Sequence, residues 1–148
     1  MTKAEFREKH SEIIGYYQLI EMHLKGICAS LLSGEDQTWF DQLDKHETDT
    51  LGALINKIQS LQKQKQLELF TAEDFETLSQ IRKDRNYWVH QCFTDTKERL
   101  VIFKGDSIKH QEIAQRIKTN LNTAIAWNEK ITEIERPLIR SAILKQNN

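Results

Sequence analysis

The sequence is poor in helix breakers, with one proline, Pro137, and five scattered glycines in 148 residues. That scarcity argues against a chain cut into short, turn-punctuated strands and predicts long uninterrupted helices. Cysteine is also scarce. Cys28 and Cys92 lie far apart and outside any C-x-x-C spacing, which excludes a disulfide framework or a zinc knuckle and leaves reduced thiols as the expectation. Charge of one sign is absent, since 21 basic residues stand against 22 acidic ones. A protein that coats long nucleic acid without regard to sequence carries a basic surplus, so any nucleic-acid contact here must be local. No run approaches the roughly 18 apolar residues of a membrane span, and the opening MTKAEFREKH has no apolar signal core. The chain is therefore read as cytoplasmic, with no membrane partner.

What is present is helical periodicity. The hydrophobic share of 39% and charged share of 29% describe a folded chain, and its length fits one domain over residues 1–148. Phe6, Ile13, Tyr17, Ile20, Leu24, Ile27 and Leu31 recur at spacings of three, four or seven, the stripe of one long helix ending at Ser33-Gly34 with a left-handed glycine cap. The connection EDQTWFDQLDKHETDT holds at most a short helical turn around Trp39 and Leu43. Asp49 or Thr50 opens a second main helix through Leu51, Leu54, Ile55, Ile58 and Leu61, which fades into QKQKQ. Thr71 with Asp74 forms a capping pattern that opens a third helix reaching about Cys92. The run Leu100 to Phe103 reads as a short strand or an irregular crossing. A last long helix starts at Asp106 or Ser107, with Ile113, Ile117, Leu121, Ala124, Ile131 and Ile134 on one face, and Pro137 ends or kinks it. The expected fold is all-α, an up-and-down four-helix bundle with Phe6, Ile20, Leu24, Leu54, Ile58, Leu78, Ile81, Leu121 and Ile131 inside.

Most chemical motifs are missing. His10, His23, His46 and His110 have no H-E-x-x-H spacing, and His90 and Cys92 point to nearly opposite sides of a helix, so no metal site is expected. No glycine-rich phosphate cradle exists, and no cofactor is implied. Trp39, Trp88 and Trp127 read as core or interface fillers. Neither cysteine has a local histidine pattern that suggests a thiol enzyme.

One segment stands apart, RKDRNYWVHQCF from Arg82 to Phe93. On an ideal helix with Leu78 at zero, Ile81, Trp88, Val89 and Cys92 cluster within about 100°, and Arg85 falls at about 340°, in their midst. Asn86 and His90 lie together on one flank, four residues apart. A cation on an apolar stripe is costly unless a partner, an anion or solvent receives it. Three readings meet that condition: an ion pair with Glu21 on the first helix, an interface anchor beside Trp88, or a phosphate-binding cleft lined by Arg85, Asn86 and His90.

R-N-x-x-x-H near the end of a bundle helix resembles the signature of HEPN domains, small all-helical proteins that often act as metal-independent ribonucleases. The long first helix with IIGYYQLIEMHLKGI, the TLGALINKI helix, the motif helix and one further helix look like the family order over most of the chain. The resemblance implies a homodimer in which two motif helices meet across a dyad, so that both copies of Arg85 and His90 face one cleft. It implies RNA cleavage by attack of the 2′-hydroxyl on the adjacent phosphate, with Arg85 and His90 catalytic. Asn86 supports them by orienting the imidazole or a phosphate oxygen, and Glu21 is a further supporting candidate. Arg82 and Lys83 would hold RNA. An RNA-targeting toxin or phage-defence effector, with an antitoxin or other regulatory protein as partner, is the setting this suggests. In the subgroup controlled by a nucleotidyltransferase antitoxin a tyrosine stands two residues after the histidine; here that position is Cys92, so that regulation is not carried over. The alternative is a catalytically silent helical module of the same kind that binds a nucleotide or a protein partner.

Overall fold

A computed structural model describes residues 1–34, 36–92 and 107–146. The expected strand or crossing at Leu100 to Phe103 lies outside them. The described residues form helices α1 (Lys3–Leu32), α2 (Trp39–Lys45), α3 (Leu51–Gln64), α4 (Ala72–Asn86) and α5 (Ser107–Gln146), with a π-helical turn (Tyr87–Gln91) continuing α4. No strand occurs among them.

Four helices start on a threonine. Thr2, Thr38 and Thr71 each accept from the backbone N–H three residues on, while Glu5, Asp41 and Asp74 respectively bond back to the threonine backbone N–H. Thr50 caps α3 through Ala53 N. Each cap satisfies donors that the helix leaves unpaired and contributes about 1 kcal/mol. The C-terminal end of α1 differs from expectation. Ser33 leaves the helix in extended geometry (φ −69°, ψ 145°), with its N–H on the Ala29 carbonyl and its hydroxyl on the Ser30 carbonyl. Those bonds satisfy the last turn, so no left-handed glycine is needed at Gly34. The left-handed residue is instead Gln66 (φ 54°), in the turn after α3. Gln62 fixes that connection, donating from Nε2 to the Phe70 carbonyl (2.8 Å) and accepting from Phe70 N (2.9 Å).

All nine residues expected inside are buried. Their stripes meet in one core, with α1 packed chiefly along α5 and then against α2 and α3, and α3 against α4. Pro137 does not end α5, which continues to Gln146. The ring is exposed, and Ala142 beyond it is buried, so packing holds the helix together across the single lost hydrogen bond. No helix among the described residues is long and apolar enough to cross a membrane.

Candidate functional site

The third helix does not run as a regular α-helix to Cys92. After Asn86 the backbone widens, and Cys92 N donates to the Tyr87 carbonyl at 2.9 Å, an i→i+5 bond, in place of the i→i+4 bond to Trp88. The Trp88 carbonyl released by this shift is not left bare. His10 Nε2 donates to it at 2.8 Å, and the Cys92 thiol donates to it at 3.2 Å. The His10 contact fixes its proton on Nε2. The reason for the widening lies in packing. Tyr87, Trp88 and Cys92 are all buried, and Trp88, fully enclosed, lies against Phe6 and His10 of α1. A π turn admits an extra residue and lets these three side chains face inward together.

The widening changes the azimuths read from an ideal helix. Five residues on an α-helix span about 140°, which would hold His90 well away from Arg85. His90 lies within the π turn, whose smaller rotation per residue brings it closer in azimuth to Arg85 than an ideal α-helix would. Val89, expected inside, is 38% exposed for the same reason. Arg85 is half-buried and not centred in the core, because the buried face at this end is formed by Tyr87, Trp88 and Cys92. Its Nη1 donates to Asn86 Oδ1 at 3.3 Å, and Asn86 is also half-buried. His90 is exposed. Glu21 is half-buried on α1, and among the described residues Arg85 forms no ion pair with it. The ion-pair account of Arg85 therefore fails, and Glu21 is not brought into the site.

Arg82 and Lys83 are exposed. Arg82 lies over the first turn of α3: a Cβ on Gly52 would stand 3.0 Å from Arg82 Cδ and 3.3 Å from its Nη1. Trp88 is core and not an exposed anchor, whereas Val89 beside it is the apolar residue that reaches solvent. On the other flank Arg116 of α5 stacks on the Tyr87 ring, 3.4 Å from its centroid, a cation–π contact that closes the bundle over the π turn. Burial raises the Tyr17 hydroxyl well above its ordinary value, with the Asp84 carboxylate adding to the effect and Arg116 opposing it. Burial likewise pushes the Cys92 thiol up to about 11, so it is a weak donor to Trp88 and no ready nucleophile.

Two contributors escaped sequence reasoning. His10 sits at spacings of four and three from Phe6 and Ile13, on the apolar stripe of α1, a position where a histidine has to find a buried partner. Arg116 carried no such signal. Among the described residues no three or more histidine, cysteine or acidic side chains are arranged to hold a metal ion. Comparison of the chain with protein-family models, curated proteins and solved structures finds no match.

Chemically, this helix end carries a permanent cation bonded to a carboxamide, and an exposed imidazole within the π turn. The Gly52–Arg82 contact places the start of α3 beside Arg82, one turn short of Arg85 and Asn86. The motif thus projects beyond the edge of α3.

Proposed function

We propose that the chain is a HEPN-like endoribonuclease that cleaves RNA without a metal, through a composite site formed where two copies bring their motif helices together. The observation that carries this reading is the π turn, which supports placing His90 on the same side as Arg85 and Asn86. An RNA-targeting toxin or phage-defence effector, held by an antitoxin or other regulatory protein, is the setting that fits such an activity.

The chemistry follows from what each group does. His90 of one copy takes the proton from the ribose 2′-hydroxyl, and the oxygen attacks the adjacent phosphorus. The bond from phosphorus to the 5′-oxygen breaks, and His90 of the second copy gives that oxygen its proton. The products are a 2′,3′-cyclic phosphate and a 5′-hydroxyl. Arg85, charged at every relevant pH, stabilises the extra negative charge on the phosphorane-like transition state. Asn86, already bonded to Arg85, holds the guanidinium plane and leaves its amide nitrogen for a phosphate oxygen. Arg82 and Lys83 contribute phosphate contacts beside it.

Incubating the pure protein with total RNA in EDTA tests the scheme. Cleavage with cyclic-phosphate ends is expected, with DNA spared for want of the 2′-hydroxyl. Arg85→Ala and His90→Ala should each lower the rate by about a hundredfold or more. Undiminished cleavage by a folded His90→Ala protein removes the site. No cleavage of any RNA by the wild-type protein favours the silent module, for which the resting Arg85–Asn86 bond is the point of support.

A further inference from the structure

Between α3 and α4 runs a groove of about 460 Å³, of which the chemistry above uses only Arg82 at one end. Its floor is apolar, from Ile55 and Phe75, and its walls are polar, from Asn56, Gln59, Ser79 and Arg82. Among the described residues none of those four polar side chains makes a hydrogen bond or ion pair, so their donors and acceptors remain available to a ligand. Phe75, Ser79 and Arg82 lie along one side of α4, and the seven residue steps from Phe75 to Arg82 span about 10 Å of helix axis. The rim carries one acidic side chain, Glu76, six residues or about 9 Å before Arg82, so an anionic group is favoured only at the Arg82 end. That end is one helical turn from Arg85 and Asn86.

Gly52 forms part of the lining at the same end. Its backbone is ordinary helix, so conformational freedom does not account for a glycine there. Space does: a Cβ would crowd Arg82 Cδ at 3.0 Å and Nη1 at 3.3 Å. The glycine leaves room for the Arg82 side chain to lie against the first turn of α3.

We infer that this groove is a nucleotide subsite, taking a base over Phe75 and Ile55 with its polar edge against Asn56, Gln59 and Ser79, and the attached phosphate on Arg82. The match is chemical. A nucleotide has a flat apolar face, an edge of donors and acceptors and an anion at one end, and the groove presents the same three features in the same order. Its volume lies in the range of small-ligand sites, about 300–1,000 Å³. The inference rests on the nuclease reading for its biological use, as the seat of the nucleotide flanking the cut, but not for the binding itself.

Gly52→Ala provides the sharpest test, because structure and binding move in opposite directions. Alanine in place of a helical glycine favours folding, and the exposed Arg82 side chain yields to the new methyl, so the variant should melt at or above the wild-type temperature. Its guanidinium is nevertheless pushed off the groove. Titration of the pure protein with AMP, CMP, GMP and UMP, followed by amide shifts in 1H–15N spectra, should move Gly52, Asn56, Gln59 and Ser79. Arg82→Ala should weaken binding about tenfold and Gly52→Ala several-fold. Shifts at Arg82 alone that inorganic phosphate reproduces in full would reduce the groove to a surface cation and overturn the inference. So would an absence of groove shifts at millimolar nucleotide, or Gly52→Ala binding as wild type. The two readings separate cleanly. Nucleotide binding without RNA cleavage keeps the subsite and discards the nuclease, and His90-dependent cleavage by a protein whose groove stays silent does the reverse.

Discussion

A Cβ on Gly26 would overlap the Glu135 carboxylate, and that single geometric fact yields a quantitative prediction for Gly26→Ala. Gly26 is buried in the middle of α1, where α5 brings Glu135 against it. The carboxylate is 8% exposed and accepts from His23 Nδ1 at 2.8 Å. The Gly26 carbonyl is itself engaged, by Ser30 Oγ at 2.8 Å and Trp39 Nε1 at 3.3 Å. The backbone therefore has little freedom to retreat, and the methyl must displace the carboxylate.

Helix propensity alone would make the alanine variant about 1 kcal/mol more stable. Against that stand overpacking, at about 1–3 kcal/mol, and loss of a charged hydrogen bond, at about 1.5–3 kcal/mol. The net is a loss of about 1.5–5 kcal/mol, or a fall in Tm of about 3–20 °C for a domain of this size. Thermal unfolding by circular dichroism reads it directly. A double-mutant cycle isolates the cause: in a Glu135→Ala background the obstruction is gone, and Gly26→Ala should then stabilise by about 1 kcal/mol. A higher Tm for Gly26→Ala in the wild-type background would refute the reasoning, as would an unchanged loss in the Glu135→Ala background.

Burial raises the Glu135 carboxyl above its ordinary 4.5, with the His23 bond opposing the rise. The folded state then holds a proton that the unfolded state has released, so this group's favourable contribution is complete below 4.5 and is lost as pH climbs through the raised folded value. Glu135→Gln, which cannot ionise, should gain stability relative to wild type as pH rises above 4.5, and a relative loss over that rise would contradict the assignment. Trp88→Ala should cost about 3–5 kcal/mol in urea unfolding, as expected for a fully buried core side chain; a loss confined to self-association would show it to be a dimer anchor instead. His10→Phe keeps a ring beside Phe6 but removes the donor to the Trp88 carbonyl, and should cost about 1–2 kcal/mol with amide shifts concentrated at Tyr87 to Cys92.

The parts of the fold that were legible in the sequence are those set by local rules. Thr71 followed at the third residue by Asp74 marked one helix start because the reciprocal bonds close within one turn, and the structure repeats the device at Thr2 with Glu5 and Thr38 with Asp41. The apolar spacing of α1, α3 and α5 identified the core because a stripe at helical period has only one way to be buried. What was not legible depends on contacts between distant segments. The π turn arises where Tyr87 and Trp88, adjacent in sequence, are both drawn inward by α1 and α5. Nothing in YWVHQ announces it, and a wheel drawn at constant pitch places Val89 inside and His90 too far from Arg85. Pro137 misleads in the opposite sense, since a rule that holds for an isolated helix yields to packing on either side of the ring.

The same turn connects stability to the proposed chemistry. A π turn gives up regular α-helical geometry and would expose the Trp88 carbonyl inside the protein, at a cost of about 1–3 kcal/mol if unpaired. Here that carbonyl is met by a histidine from the far end of α1, and the aromatic pair beside it is enclosed by Phe6 on one flank and Arg116 on the other. The surrounding helices thus hold in place a local geometry that the segment would not favour alone. At the surface the same turn carries the exposed His90 imidazole, at a smaller angle from Arg85 than regular α-helix would give. Departures from local preference that a structure stabilises at several points are where function concentrates. In this chain the departure falls within the segment that also carries Arg85, Asn86 and His90, which is why the His10 contact and the proposed chemistry belong to one physical account.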